Sequence, residues 1–125
     1  MIWVYIAIGG ALGSVFRYMT ILATERFMGH AFPYGTLTVN VLGALIMGIV
    51  VGYLQLLNPN GNPQIKSFIV VGLLGGYTTF SSFSLDALTM IQNDHMVSLM
   101  LYITLSVGLS LLGIWSGYQI VRGIS

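Results

Sequence analysis

The sequence contains no cysteine, three prolines and very little charge. Without cysteine, disulfides and thiolate metal sites are excluded. Four Lys/Arg and three Asp/Glu leave 6% of the 125 residues charged, with a net charge of +1. Soluble domains run near ~25% charged. Four cations cannot build a basic face for nucleic acid, so no nucleic-acid partner is expected. The two histidines, His30 and His95, are far apart and read as solvated chain-end and loop residues, not as a metal site. What remains is apolar: 56% of residues are hydrophobic and the mean hydropathy is +0.90. That composition belongs to a membrane protein.

A helical span needs ~20 mostly apolar residues. Charges and turn residues cut the chain into four such pieces, at about 2–22, 34–57, 66–91 and 96–121, forming a single transmembrane domain over 1–125. ATERFMGHAFP ends the first, and NPNGNP (Asn58 to Pro63) stops any helix between the second and third. QNDH, Gln92 to His95, is a short turn before the fourth, which carries no charge. The runs are too long and too little alternating for strands. Met1 to Gly13 lacks a basic start and a small-residue cleavage site, so it reads as the first span and not as a removable signal. The expected fold is an all-α, up-down-up-down integral membrane protein.

Orientation in a bilayer follows the Lys/Arg asymmetry of the loops. Lys66 and Arg122 fall on the side of the termini, with Arg26 on the other and Arg17 nearer that other side. So even a tally implies insertion both ways and permits an antiparallel dimer. Gly48/Gly52 and Gly113/Gly117 are small-xxx-small pairs, and Gly9, Gly10, Gly13, Gly43 and Gly108 add to the supply of close-approach sites. These glycines serve either contacts between subunits or packing within one.

Polar residues at membrane depth mark packing contacts or pathways. Asn40 is mid-span with Thr36 one turn before it; its amide is either interhelical glue or a donor to an ion or water. Tyr102, Ser106 and Ser110 lie at i, i+4 and i+8, three hydroxyls in one stripe, unless each simply bonds back to its own helix. GGYTTFSSF, Gly75 to Phe83, is the densest cluster. Its glycines and its hydroxyls at Tyr77, Thr78 and Thr79 weaken helix, which predicts two half-helices with an unwound centre or else a packed glycine kink. Freed carbonyls there suit a hard cation such as sodium, and freed N–H groups suit an anion. Phe80 and Phe83 lie on one face just past this point; they meet lipid or core, or offer the positive ring edge to a small anion. Arg17 is placed to snorkel from the end of the first span, and Asp86 to pair with Arg17 or a backbone donor.

These motifs, GGALGSVFRY, GTLTVNVLG and above all GGYTTFSSF, resemble the small dual-topology fluoride channels of the Fluc (CrcB-like) family over essentially the whole chain. The resemblance implies an antiparallel homodimer of four-helix subunits in the bacterial inner (plasma) membrane, with the third helix broken near mid-membrane. It implies passive fluoride export through two pores lined by both subunits. Asn40 would be a pore-lining donor, Phe80 and Phe83 would line the path with ring edges, and Ser81 and Ser82 would bond the ion or hold the backbone. Tyr102, Ser106 and Ser110 would form the polar track, and Arg17 would stand near a pore mouth. The main-chain carbonyls of Gly75 and Thr78 would bind a structural sodium ion on the dimer axis. Asp86 replaces a frequent glutamate and Ser82 a common threonine, both with similar chemistry.

Two other functions fit four short spans. A proton-coupled small multidrug transporter needs a buried glutamate in its first span, yet 2–22 has no acid and Glu25 lies beyond it. A non-conducting membrane subunit needs no polar track. No GxxxxGK[ST] nucleotide motif occurs, and no enzyme chemistry is expected.

Overall fold

The computed structural model describes residues Met1–Ile124. Helix α1 spans Ile2–Met28 and α2 spans Tyr34–Leu56. Helix α3 is continuous from Pro63 through Tyr77: α-helical over Pro63–Lys66, π-helical over Ser67–Leu74 and α-helical again over Gly75–Tyr77. After a break at Thr78 and Thr79, α4 spans Phe80–Gln92, and α5 spans Met96–Ile124. Taking α3 and α4 as one interrupted span, four stretches are long and apolar enough to cross a membrane. The described residues contain no strand. The fold is therefore all-α and membrane-spanning, with a third span in two halves.

Local chemistry sets the ends. Gly29 stops α1 with φ 80°, a conformation that favours glycine, and its N–H returns to the Glu25 carbonyl. Asn62 caps α3: its side chain accepts from Gln64 N–H at 2.8 Å, and Pro63 follows at the first helical position. Asp94 takes φ 57° in the tight turn between α4 and α5, where His95 N–H bonds the Met90 carbonyl.

The bundle is held by two glycine seams. On α1 and α3, a Cβ at Gly76 would lie 2.8 Å from the Gly10 carbonyl oxygen, and one at Gly13 would strike the Leu73 carbonyl. On α2 and α5, a Cβ at Gly48 would strike the Ile114 carbonyl, and one at Gly117 the Leu45 carbonyl. Small residues let these backbones approach closely. Gly108 is different, since nothing lies within 4 Å of its Cβ position.

The seam corrects one expectation. Gly75 and Gly76 are not the unwound centre. Both lie in helix, and the chain opens two residues later, at Thr78 (ψ 157°) and Thr79 (φ −151°, ψ 117°). Glycine's weak propensity is overridden here by packing against α1. The apolar core is small, with Val39 and Tyr102 fully buried, while large apolar side chains such as Trp3, Val97 and Leu111 point outward. Outward apolar side chains are what a bilayer solvates.

Candidate functional site

The site is built around the break. A helix continuing through Thr79 would bond its N–H to the Gly75 carbonyl. Instead Thr79 N–H donates to Asn40 Oδ1 at 2.7 Å, and Asn40 Nδ2 donates back to the Thr79 carbonyl at 3.0 Å. One side-chain amide from α2 thus pairs with a whole residue of extended backbone and satisfies groups that would otherwise be costly to bury. Gly43, one turn on from Asn40, lets α2 close on the Thr78 side chain. Thr79 then caps α4: its Oγ1 accepts from Ser82 N–H at 3.0 Å and lies 3.1 Å from Ser81 Oγ.

Beside the break lies a cavity of about 390 Å³. Asn40, Thr78, Thr79, Phe80, Phe83, Ser106 and Ser110 supply its chemistry, and Ala44, Met47, Val107, Leu111 and Ile114 complete an apolar wall. No Lys, Arg, Asp or Glu is among its lining residues. Ser106 is 6% exposed, and its hydroxyl has no hydrogen-bond partner. A buried unpaired hydroxyl costs free energy unless something that accepts or donates visits it. Asn40 also retains one N–H beyond the one given to Thr79, because an amide nitrogen carries two. Phe80 is 77% exposed, at the edge of this mostly apolar cavity with its few polar groups.

Behind the cavity the rings form a relay of contacts. Phe80 and Phe83 are 5.4 Å apart between centroids, Phe83 and Tyr102 5.1 Å, and Tyr102 meets Phe32 edge-on at 5.6 Å. The Tyr102 hydroxyl donates to Asp86 Oδ2 at 2.9 Å. Tyr102 is thus separated from Ser106 and Ser110: it stands behind Phe83, outside the cavity wall.

The structure also relocates both charged candidates. Asp86 pairs with Tyr102, not with Arg17 or a backbone donor. Arg17 does not snorkel, because α1 continues to Met28; its Nη1 donates to the Gly76 carbonyl at 3.1 Å, at the end of α3. Ser81 and Ser82 serve the Thr79 cap and do not line the cavity. Sequence reasoning missed the double bond from Asn40 to Thr79, and the 3.0 Å contact between Thr20 Oγ1 and the Tyr77 hydroxyl that ties α3 to α1. Thr79 carried the only local signal, a hydroxyl residue three before Ser82 at a helix start. Its partner lies 39 positions away.

Four membrane-length spans, a mid-span break and an apolar cavity carrying Asn40, Ser106 and Ser110 coincide with a match to a family model. The model described as "CrcB-like protein, Camphor Resistance (CrcB)" matches residues 4–118. The chain belongs to the CrcB-like family. A Flavobacterium psychrophilum protein named "Fluoride-specific ion channel FluC" is 43% identical over 118 residues, covering 94% of each chain. One of the same name from Cereibacter sphaeroides is 46% identical, over 94% of this chain and 92% of its own length. A third, from Rhodopseudomonas palustris, is 37% identical over the full length of both.

Proposed function

We propose that the chain is a fluoride-selective ion channel through which cytoplasmic fluoride leaves the cell passively, with no covalent step. The observation that carries this reading is the buried, unpartnered Ser106 hydroxyl on the wall of a cavity shared with Asn40, Ser110, Phe80 and Phe83. Fluoride is small and strongly hydrated, so a path must replace its water with donors. Hydroxyl, amide N–H and positive ring edge are donors of that kind. A cation on the wall would hold the ion; conduction needs sites weak enough to leave, and none lines this cavity. The relatives' shared name supports the choice of ion.

The same reading includes an antiparallel homodimer in the bacterial inner membrane, with two pores at its interface. What supports it is Phe80, an exposed apolar ring beside the cavity that a second copy would cover.

The reading also includes a structural sodium ion at the Gly75 and Thr78 carbonyls. The backbone fits it. The helical donor for Gly75, Thr79 N–H, is turned to Asn40, and the corresponding donor for Thr78, Ser82 N–H, is turned to Thr79 Oγ1. Both carbonyls are therefore available as hard oxygen ligands. Sodium bound by such carbonyls from two subunits would tie their broken helices together.

The test is fluoride release from liposomes loaded with potassium fluoride, started with valinomycin and followed by electrode, with chloride in parallel. Rapid fluoride release without chloride release, slowed by Phe80→Ile, is expected. No release from folded, reconstituted protein would sink the reading.

A further inference from the structure

Arg17 is the only cation of α1 outside its last turn, and it has a defined partner. Its guanidinium donates to the Gly76 carbonyl at 3.1 Å. That carbonyl is one of the last in α3, where unpaired carbonyls and the helix dipole gather negative potential. Two further contacts hold α1 against the end of α3. The glycine seam brings Gly10 and Gly13 against Gly76 and Leu73, and Thr20 Oγ1 meets the Tyr77 hydroxyl at 3.0 Å. Arg17 is half-buried, so its charge is poorly screened by solvent.

The carbonyls around the break divide into two kinds. Gly76 and Thr79 each have a side-chain donor, Arg17 and Asn40 respectively. Gly75 and Thr78 have had their helical donors drawn away. Gly75 is the neighbour of Gly76 on the same helix end, so a cation at the Gly75 carbonyl would sit one residue from the carbonyl that Arg17 holds.

We propose that Arg17 is a positioning residue for the break: a built-in cation that caps the end of α3 and lowers the affinity of the adjacent Gly75 and Thr78 carbonyls for sodium. This rests on the sodium reading above. The charge does two opposed things. It holds the α3 terminus in place through Gly76, and it repels a second cation beside it. Removing the charge while keeping a hydrogen-bonding side chain should loosen the first and tighten the second.

The experiment is thermal unfolding of the purified protein against sodium, at constant ionic strength with N-methylglucamine chloride. Wild type, Arg17→Gln and Arg17→Lys are compared. Sodium is expected to raise the midpoint of wild type. In Arg17→Gln the sodium-free midpoint should fall, and half-saturation should occur at about tenfold lower sodium, the scale of one unit charge several ångströms away at intermediate dielectric. Arg17→Lys keeps the charge and should stay within about twofold of wild type. If Arg17→Gln does not fold, Arg17→Cys replaces it. The chain has no other cysteine, so that side chain can be coupled to an ethylammonium or a neutral ethyl group. The ammonium form should need more sodium than the neutral one. An unchanged half-saturation on loss of the charge, or equal tightening by Lys and Gln, would overturn the proposal and leave the sodium reading standing. A wild-type midpoint indifferent to sodium overturns the sodium reading itself.

Discussion

Asn40 and Ser106 stand on the same cavity wall in opposite states. Asn40 is bonded twice to Thr79, and Ser106 to nothing. Their substitutions should therefore separate stability from transport. Ser106→Ala removes a buried hydroxyl that has no protein partner, so stability should stay level or rise slightly, because no native bond is lost. Fluoride efflux should fall about tenfold, the equivalent of one lost hydrogen bond to the ion. Parallel unfolding and efflux measurements check both halves; a loss of stability would show that the hydroxyl has a structural partner. Asn40→Asp is the converse case. It keeps an acceptor for Thr79 N–H but sets a carboxylate oxygen against the Thr79 carbonyl, where Nδ2 had donated. A buried acceptor left facing another acceptor costs about 1–3 kcal/mol or more. Both the unfolding midpoint and the efflux of Asn40→Asp should drop. Asn40 was legible in the sequence as a polar residue in an apolar run. Its second role was not, because the backbone it holds is distant in the chain and nothing in the local sequence points to it.

At the scale of helices, the glycines fall into those that allow contact and those, such as Gly108, that do not. A Cβ at Gly117 would strike the Leu45 carbonyl, which is backbone and cannot swing aside. Gly117→Ala should separate α5 from α2 and lower stability by about 1–3 kcal/mol. Gly108 has open space at its Cβ position, so Gly108→Ala should gain helix propensity of up to about 1 kcal/mol. Unfolding in detergent distinguishes the pair. If Gly108→Ala instead disrupts a dimer, that face lies against the second copy. The four spans were readable because run length alone separates membrane helices from soluble ones. The break was readable as a region, through its glycines and hydroxyl residues, but not as a position. Propensity is weak all the way from Gly75 to Thr79, whereas the opening is confined to Thr78 and Thr79 and is decided by Asn40 on one side and α1 on the other. Of the two roles the sequence left open for Ser81 and Ser82, bonding the ion or holding the backbone, the structure displays the second: the Ser81 hydroxyl and the Ser82 N–H both meet Thr79 Oγ1.

For the whole molecule, the place of Arg17 changes the charge tally that governs insertion. Arg17 lies about 16 Å inside the end of α1 at Met28, taking 1.5 Å per residue, and is bonded to the end of α3. It is not a loop charge. The span ends then set Arg26 on one side against Lys66 and Arg122 on the side of the termini. Lys/Arg near the span ends bias their side toward the cytoplasm, so a single net cation favours the form with its termini inside. One charge is a weak bias, and both orientations should coexist, as an antiparallel dimer requires. A cysteine added at the C-terminus of this cysteine-free chain reports the orientation through a membrane-impermeant maleimide applied to intact and then lysed cells. Labelling should divide between the two conditions, with the larger share appearing only after lysis. Lys66→Gln should bring the shares together, and an added arginine in the loop at Gly61 should drive the chain to one orientation and reduce efflux. Full protection of the label in wild type would mean that one orientation is fixed, and an antiparallel homodimer could not then assemble from this chain alone.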